Sequence, residues 1–162
     1  MEKTRRIAKN FNRITVLSAG SNDEDSVRLS TILALIEAEG GPLAWNLEKC
    51  PSLASALGIL RKSNVPIILC ERDIEGGSWK DMLEYVSGLP DPPCLIVTSR
   101  LADEHLWSEA LNLGAYDVLS KPFEAGEVIR VLQSAWLHRQ HRAPQSAKSI
   151  AASAPMNWAF PV

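Results

Sequence analysis

A chain of 162 residues and 17.8 kDa that is 46% hydrophobic and 22% charged has the length of one domain and enough apolar side chains for a core, which excludes a disordered, collagen-like or disulfide-scaffold protein. No window reaches about 18 apolar residues, which excludes an ordinary transmembrane helix. The net charge of -2 sums unlike parts, +4 over residues 1–13, -9 over 14–138 and +3 over 139–162, and an acidic body with basic ends disfavours nucleic-acid binding by the body itself.

After the basic leader of residues 1–13, ITVLSA at 14–19 is an apolar run closed by Gly20, Ser21 and Asn22, which predicts a buried strand entering a turn. Asn22 or Asp23 caps the next helix, in which Val27, Ile32, Leu33, Leu35 and Ile36 recur at helical spacing until Gly40 and Gly41. Leu43 to Leu47 is a weaker strand, and Pro51 suits the first position of a helix with Leu53, Leu57 and Leu60 as its stripe, ended by Asn64. VPIILC at 65–70 predicts a central strand, with its proline tolerable only near the start. ERDIEGG follows as a loop, and Ser78 with Asp81 at the capping-box spacing starts a helix through SWKDMLEYV. Beyond the proline-rich turn from Leu89 to Pro93, CLIVTS at 94–99 is a fourth strand. A helix from near Asp103 carries Leu106, Trp107, Ala110, Leu111 and Leu113 to a stop at Gly114. YDVLS forms a fifth strand, and KPF leads into a last helix whose Val128, Ile129, Leu132, Ala135 and Trp136 share one side.

Five strand–helix repeats with short connections predict a parallel sheet between two layers of helices. Ligands of such sheets bind beyond the carboxyl ends of the strands, which selects Ser18 and Ala19, Glu71 to Glu75, Thr98 and Ser99, and Ser120 and Lys121. Cys50, Cys70 and Cys94 lack metal-site spacing and are odd in number, and nothing resembles a secretory leader, so a cytoplasmic location is expected. From about His141 the pattern dissolves. The end, MNWAFPV, has three open readings: an unstructured tail, a segment packed back on the body, or a docking peptide for a partner.

GAYDVLSKPF at 114–123 and the apolar-Thr-Ser ending of IVTS at 96–99 resemble the receiver domain of bacterial response regulators in two-component signalling, over roughly residues 13–138. The resemblance implies a doubly wound, flavodoxin-like five-stranded fold of strand order 2-1-3-4-5. It places the phosphate-contacting hydroxyl and lysine on Thr98 and Lys121, with Thr98 also at the switch position. The phosphoacceptor of that family is an aspartate at the end of the third strand, and the matching residue is Glu71. Its carboxylate lies one methylene further out, in chemistry where geometry is worth orders of magnitude in rate, so transfer onto Glu71 is disfavoured. Asp73 lies two places on, in the loop.

The family's paired acids after strand one, which help bind Mg²⁺, correspond to Ser18 and Ala19, so Mg²⁺ binding is expected to be weak or absent and no other cofactor is implied. Asp23, Glu24 and Asp25 are read as helix-start carboxylates favoured by the dipole. The family's rotating aromatic corresponds to Val118, and Tyr116, two residues earlier, is expected on the same side of the strand. A Glu71–Lys121 ion pair has two open readings: it holds the domain in one state, or Lys121 simply satisfies an acidic strand end with no signalling role. His105, His138 and His141 lack convergent spacing, Gly76 and Gly77 lack the offsets of a phosphate cradle, and Cys70 beside Glu71 is not activated.

The resulting expectation is an atypical receiver that is not an enzyme and acts through protein contacts, with itself or with other signalling proteins. The face of the fourth helix, fifth strand and fifth helix would present Leu106, Trp107, Leu111, Glu124, Glu127 and Trp136. Neither membrane nor direct nucleic-acid contact is expected, the 22 residues of 141–162 being too few for a DNA-binding domain. Two alternatives stay open: a working phosphoacceptor at Glu71 or Asp73, and a small enzyme of the same fold.

Overall fold

The computed structural model describes residues 13–41 and 43–142, so the expectations for most of the leader and of the tail lie outside the described residues. Five parallel strands form the main sheet: β1 (Arg13–Ala19), β2 (Ala44–Cys50), β3 (Ile67–Glu71), β6 (Cys94–Ser99) and β7 (Asp117–Ser120). Their order is β2-β1-β3-β6-β7, which is 2-1-3-4-5 counted within this sheet, as expected. The helices are α1 (Asp23–Ala38), α2 (Leu53–Lys62), α3 (Trp79–Ser87), α4 (Glu104–Leu113) and α5 (Ala125–His141). Among the described residues no helix is long and apolar enough to cross a membrane.

Side-chain alternation along the strands sorts the core into two layers. Ile14, Val16, Ile67, Leu69, Ile96 and Leu119 face α1 and α5, where they meet Leu29, Ile32, Val128 and Leu132. Leu17, Ile68, Cys70, Leu95, Val97 and Val118 face α2, α3 and α4, where they meet Ala56, Met82, Val86 and Ala110. With both faces covered, the central strands can be apolar throughout, and all six residues of β6 are buried.

Several local expectations are corrected. The buried stripe of α1 is Leu29, Ile32, Leu33 and Ile36, while Val27 and Leu35 are exposed. Pro51 is not the first helical residue: Ser52 is the N-cap of α2 and shares a reciprocal box with Ser55. The second strand starts at Ala44 and runs to Cys50, three residues past its expected end. ERDIEGG is not a plain loop, because β4 (Asp73–Ile74) and β5 (Gly77–Ser78) pair as a small antiparallel hairpin. The Ser78–Asp81 capping box is present, with the Ser78 N–H donating to Asp81 Oδ2 at 2.9 Å.

Candidate functional site

The pleat decides which strand ends can meet. Ser18, Glu71 and Thr98 continue the alternation of Val16, Leu69 and Ile96, so all three belong to the α1 side of the sheet. Lys121 follows Leu119 by two residues, and its N–H still donates to the Ser99 carbonyl at 3.0 Å, which keeps it in phase beyond the end of β7. Glu71 and Thr98 are register partners on β3 and β6. Ala19 and Val118 have the opposite phase and lie in the other layer, Val118 fully buried.

The centre of the site is the Lys121 ammonium. It lies 2.8 Å from Asp25 Oδ2 and forms a second ion pair with Glu71 Oε1. The side chains are nearly closed to water, at 7% exposure for Lys121, 7% for Asp25 and 14% for Glu71. Asp25 is more than a helix-start charge: its N–H is taken by Asn22 Oδ1 at 2.8 Å, and its carboxylate turns across to Lys121. Extending the buried stripe of α1 back four residues from Leu29 gives Asp25, and helical spacing is the signal by which this site residue can be found.

Burial raises the pKa of Glu71 above the usual carboxylate range, and the charge of Asp25 adds to this. Hydrogen bonding and charge from Lys121, with a hydrogen bond from Thr98, oppose the shift without cancelling it. Burial pulls Lys121 the other way, but its two carboxylate partners prevail and hold its pKa above the ordinary lysine value. Burial, with smaller contributions from Cys50 and Glu71, pushes the Cys70 thiol up to about 12, so it is an inert core group.

Where paired acids would follow strand one, hydroxyls form a chain: Ser18 Oγ to Ser21 Oγ at 2.7 Å, and Ser21 Oγ to Ser26 Oγ at 3.2 Å. The turn above them needs a glycine. Gly20 has φ +84°, and a Cβ there would meet Ile74 Cγ2 at 2.4 Å and Glu71 Cβ at 3.1 Å. The turn and the hairpin residue Ile74 thus close over the stem of Glu71. Asp73, in β4, has an 80% exposed side chain and pairs with Arg72 at 3.5 Å.

The donor set does not fit the Mg²⁺ site that the fold family implies. Mg²⁺ requires near-octahedral oxygen ligation, usually with several retained waters. Here the two nearby carboxylates already share an ammonium as counter-ion, and Ser18 and Ala19 supply none. Among the described residues, no three His, Cys, Asp or Glu side chains are grouped to hold a metal ion.

Residues 22–133 match the response regulator receiver domain family. The chain belongs to that family. Its β1, with Ser18 and Ala19, lies outside the matched residues. Solved structures agree on the fold. The signal receiver domain of an HD domain-containing protein from Pseudomonas fluorescens Pf-5 is 23% identical with a TM-score of 0.67, covering 80% of this chain and 90% of that one. A two-component response regulator from Clostridium difficile is 16% identical with a TM-score of 0.62, covering 80% and 99%. The beryllofluoride-activated NtrC4 receiver domain dimer is 22% identical with a TM-score of 0.62, covering 77% and 98%. No curated protein matches the chain in sequence.

The expected partner face is corrected in two places. Leu106 is 4% exposed and belongs to the core, so it cannot form a contact surface. Trp136 is turned toward Ile36 and Trp45 in the α1–α5 layer, whereas Trp107 packs on the opposite layer, so the two do not form one patch. Leu111 is exposed, and the Glu124 carboxylate caps α5 by accepting from the N–H groups of Gly126 and Glu127. Tyr116 does not share a side with Val118. It precedes β7, packs on the α1–α5 layer, lies 5.2 Å from the His138 ring and reaches Ser134 through its hydroxyl at 3.1 Å.

Proposed function

We propose that this receiver is held in one signalling state by its own side chains and acts through protein contacts, independently of phosphorylation and without enzymatic turnover. The observation that carries this reading is the closed Asp25–Lys121–Glu71 cluster. Glu71 extends a carboxylate one methylene beyond an aspartate and engages the lysine that would otherwise contact a phosphoryl oxygen. The Lys121 ammonium offsets one of the two carboxylate charges and so lowers the electrostatic demand for a divalent cation, and weak Mg²⁺ binding belongs to the same reading.

Transfer to Glu71 requires an approach to a carboxylate that is ion-paired and only 14% exposed, with its stem packed under the Gly20 turn. Asp73 is accessible, but it points away into solvent beside Arg72 and has no contact with Lys121. The contact face is the side of α4 that carries the exposed Leu111 one turn after the half-buried Trp107, together with the half-buried Glu127 on α5. Its partner is a second copy of the chain or another signalling protein.

Incubation with acetyl phosphate or phosphoramidate and Mg²⁺, followed by intact mass measurement, tests the proposal. The expected spectrum shows no added phosphoryl group. A phosphoryl adduct abolished by Glu71→Gln or by Asp73→Asn would overturn it in favour of a working phosphoacceptor.

A further inference from the structure

The α1–α5 side carries an apolar groove unrelated to the ion-paired site. Ile36 at the end of α1, Leu43 and Trp45 at the start of β2, and Gln133, Trp136 and Leu137 on α5 enclose about 240 Å³. That is below the roughly 300–1,000 Å³ of small-molecule sites and suits one or two anchoring side chains. Its lining has no charged residue, and Leu137 is 53% exposed at its edge.

The chain itself contains a matching ligand. Twenty residues follow Arg142, Lys148 is their only charge, and Met156–Val162 reads MNWAFPV, with Trp158 and Phe160 two apart. In an extended peptide that spacing directs both rings to one side, the arrangement by which a groove captures alternate side chains. Leu137 lies on α5 five residues before its C-cap Arg142, about 8 Å at a helical rise. The sixteen residues from Arg142 to Trp158 span about 20–24 Å as a flexible chain, enough to return to the groove. A tether of that length gives an effective concentration of order mM, so even a weak contact is populated within one molecule.

We propose that Met156–Val162 docks in this groove of its own chain, with Trp158 and Phe160 as anchors. The full-length chain carries its own reporters. The indole N–H signals of Trp45 and Trp136 read the groove, those of Trp79 and Trp107 in the opposite layer serve as controls, and that of Trp158 reads the ligand. In nitrogen-15 correlation spectra, Trp158→Ala/Phe160→Ala should shift the Trp45 and Trp136 signals and leave the controls in place. Leu137→Glu, at a site exposed enough not to disturb folding, should shift Trp158 toward a free-peptide position. Both effects should persist on dilution from about 1 mM to about 10 µM. Unmoved groove signals in the double variant, or an unmoved Trp158 in Leu137→Glu, overturn the proposal. Effects that vanish on dilution also overturn it, assigning the groove to a second copy.

Discussion

Replacing Lys121 with methionine tests the ion-paired site most directly. Methionine keeps much of the apolar stem and removes the ammonium, leaving Asp25 and Glu71 facing each other with 7% and 14% exposed side chains. Breaking a buried pair from one side costs about 3–5 kcal/mol, and partial access of water to Glu71 favours the lower figure. For a domain of this size, about 3 kcal/mol corresponds to a fall of about 10–15 °C in melting temperature. The companion variant Glu71→Gln should behave differently. Burial opposes the charge of Glu71 and offsets part of what its ion pair contributes, and Asp25 still pairs with Lys121, so Glu71→Gln should cost clearly less than Lys121→Met. Urea unfolding at several pH values separates the contributions. Lys121 has a raised folded-state pKa, so its stabilisation is complete below the unfolded lysine value of about 10.4 and is lost as pH rises through the folded value. The wild type should therefore lose stability in that alkaline range, and Lys121→Met should lack this loss. A penalty below about 1 kcal/mol for Lys121→Met, unchanged between pH 5 and pH 10, would refute a buried, coupled cluster and indicate a solvent-screened pair.

Gly20→Ala combines a positive φ with a Cβ 2.4 Å from Ile74 Cγ2, whereas Gly40→Ala has φ +81° and open space. Thermal melts should show a loss of about 1–2 kcal/mol for the latter and clearly more for the former. Cys50, Cys70 and Cys94 are free and buried with raised pKa values, so iodoacetamide at pH 8 should label the native protein slowly and all three thiols promptly in denaturant. Ser78→Ala removes the hydroxyl that caps α3 and should cost about 1 kcal/mol in urea unfolding, with little effect on the ion-paired site.

Much of the fold was legible because two signals agree along most of the chain. Short apolar runs bounded by turn residues mark β1, β3 and β6, and Asp103 and Gly114 bracket α4 as an N-cap and a left-handed stop. Errors arose where a local signal had a second reading. Pro51 tolerates the position before an N-cap as well as the first helical position, and Ser52 took the cap because its hydroxyl satisfies the Ser55 N–H. The hairpin of β4 and β5 has two-residue strands, too short for alternation to declare itself. Tyr116 and Val118 are two apart, but the pleat rule applies only inside a strand, and Tyr116 precedes β7.

Asp25 carries a more general lesson about reading the site. The pleat brings alternate side chains of the strand ends to this site, and Ser18 and Ala19 supply no acid there. A helix packed on the same face supplies the same position from another direction, since its first turn lies beside the carboxyl ends of the strands. Asp25 is placed there by the turn at Gly20 and by the Asn22 cap, four residues before the first fully buried leucine of α1. The Arg28 guanidinium, one turn later, bonds the Phe123 carbonyl, so α1 is tied to the segment that carries Lys121. The acidic function is therefore displaced from strand to helix, and its partner changes with it: a carboxylate held 2.8 Å from an ammonium supports a fixed ion pair and is poorly suited to share a hydrated divalent ion.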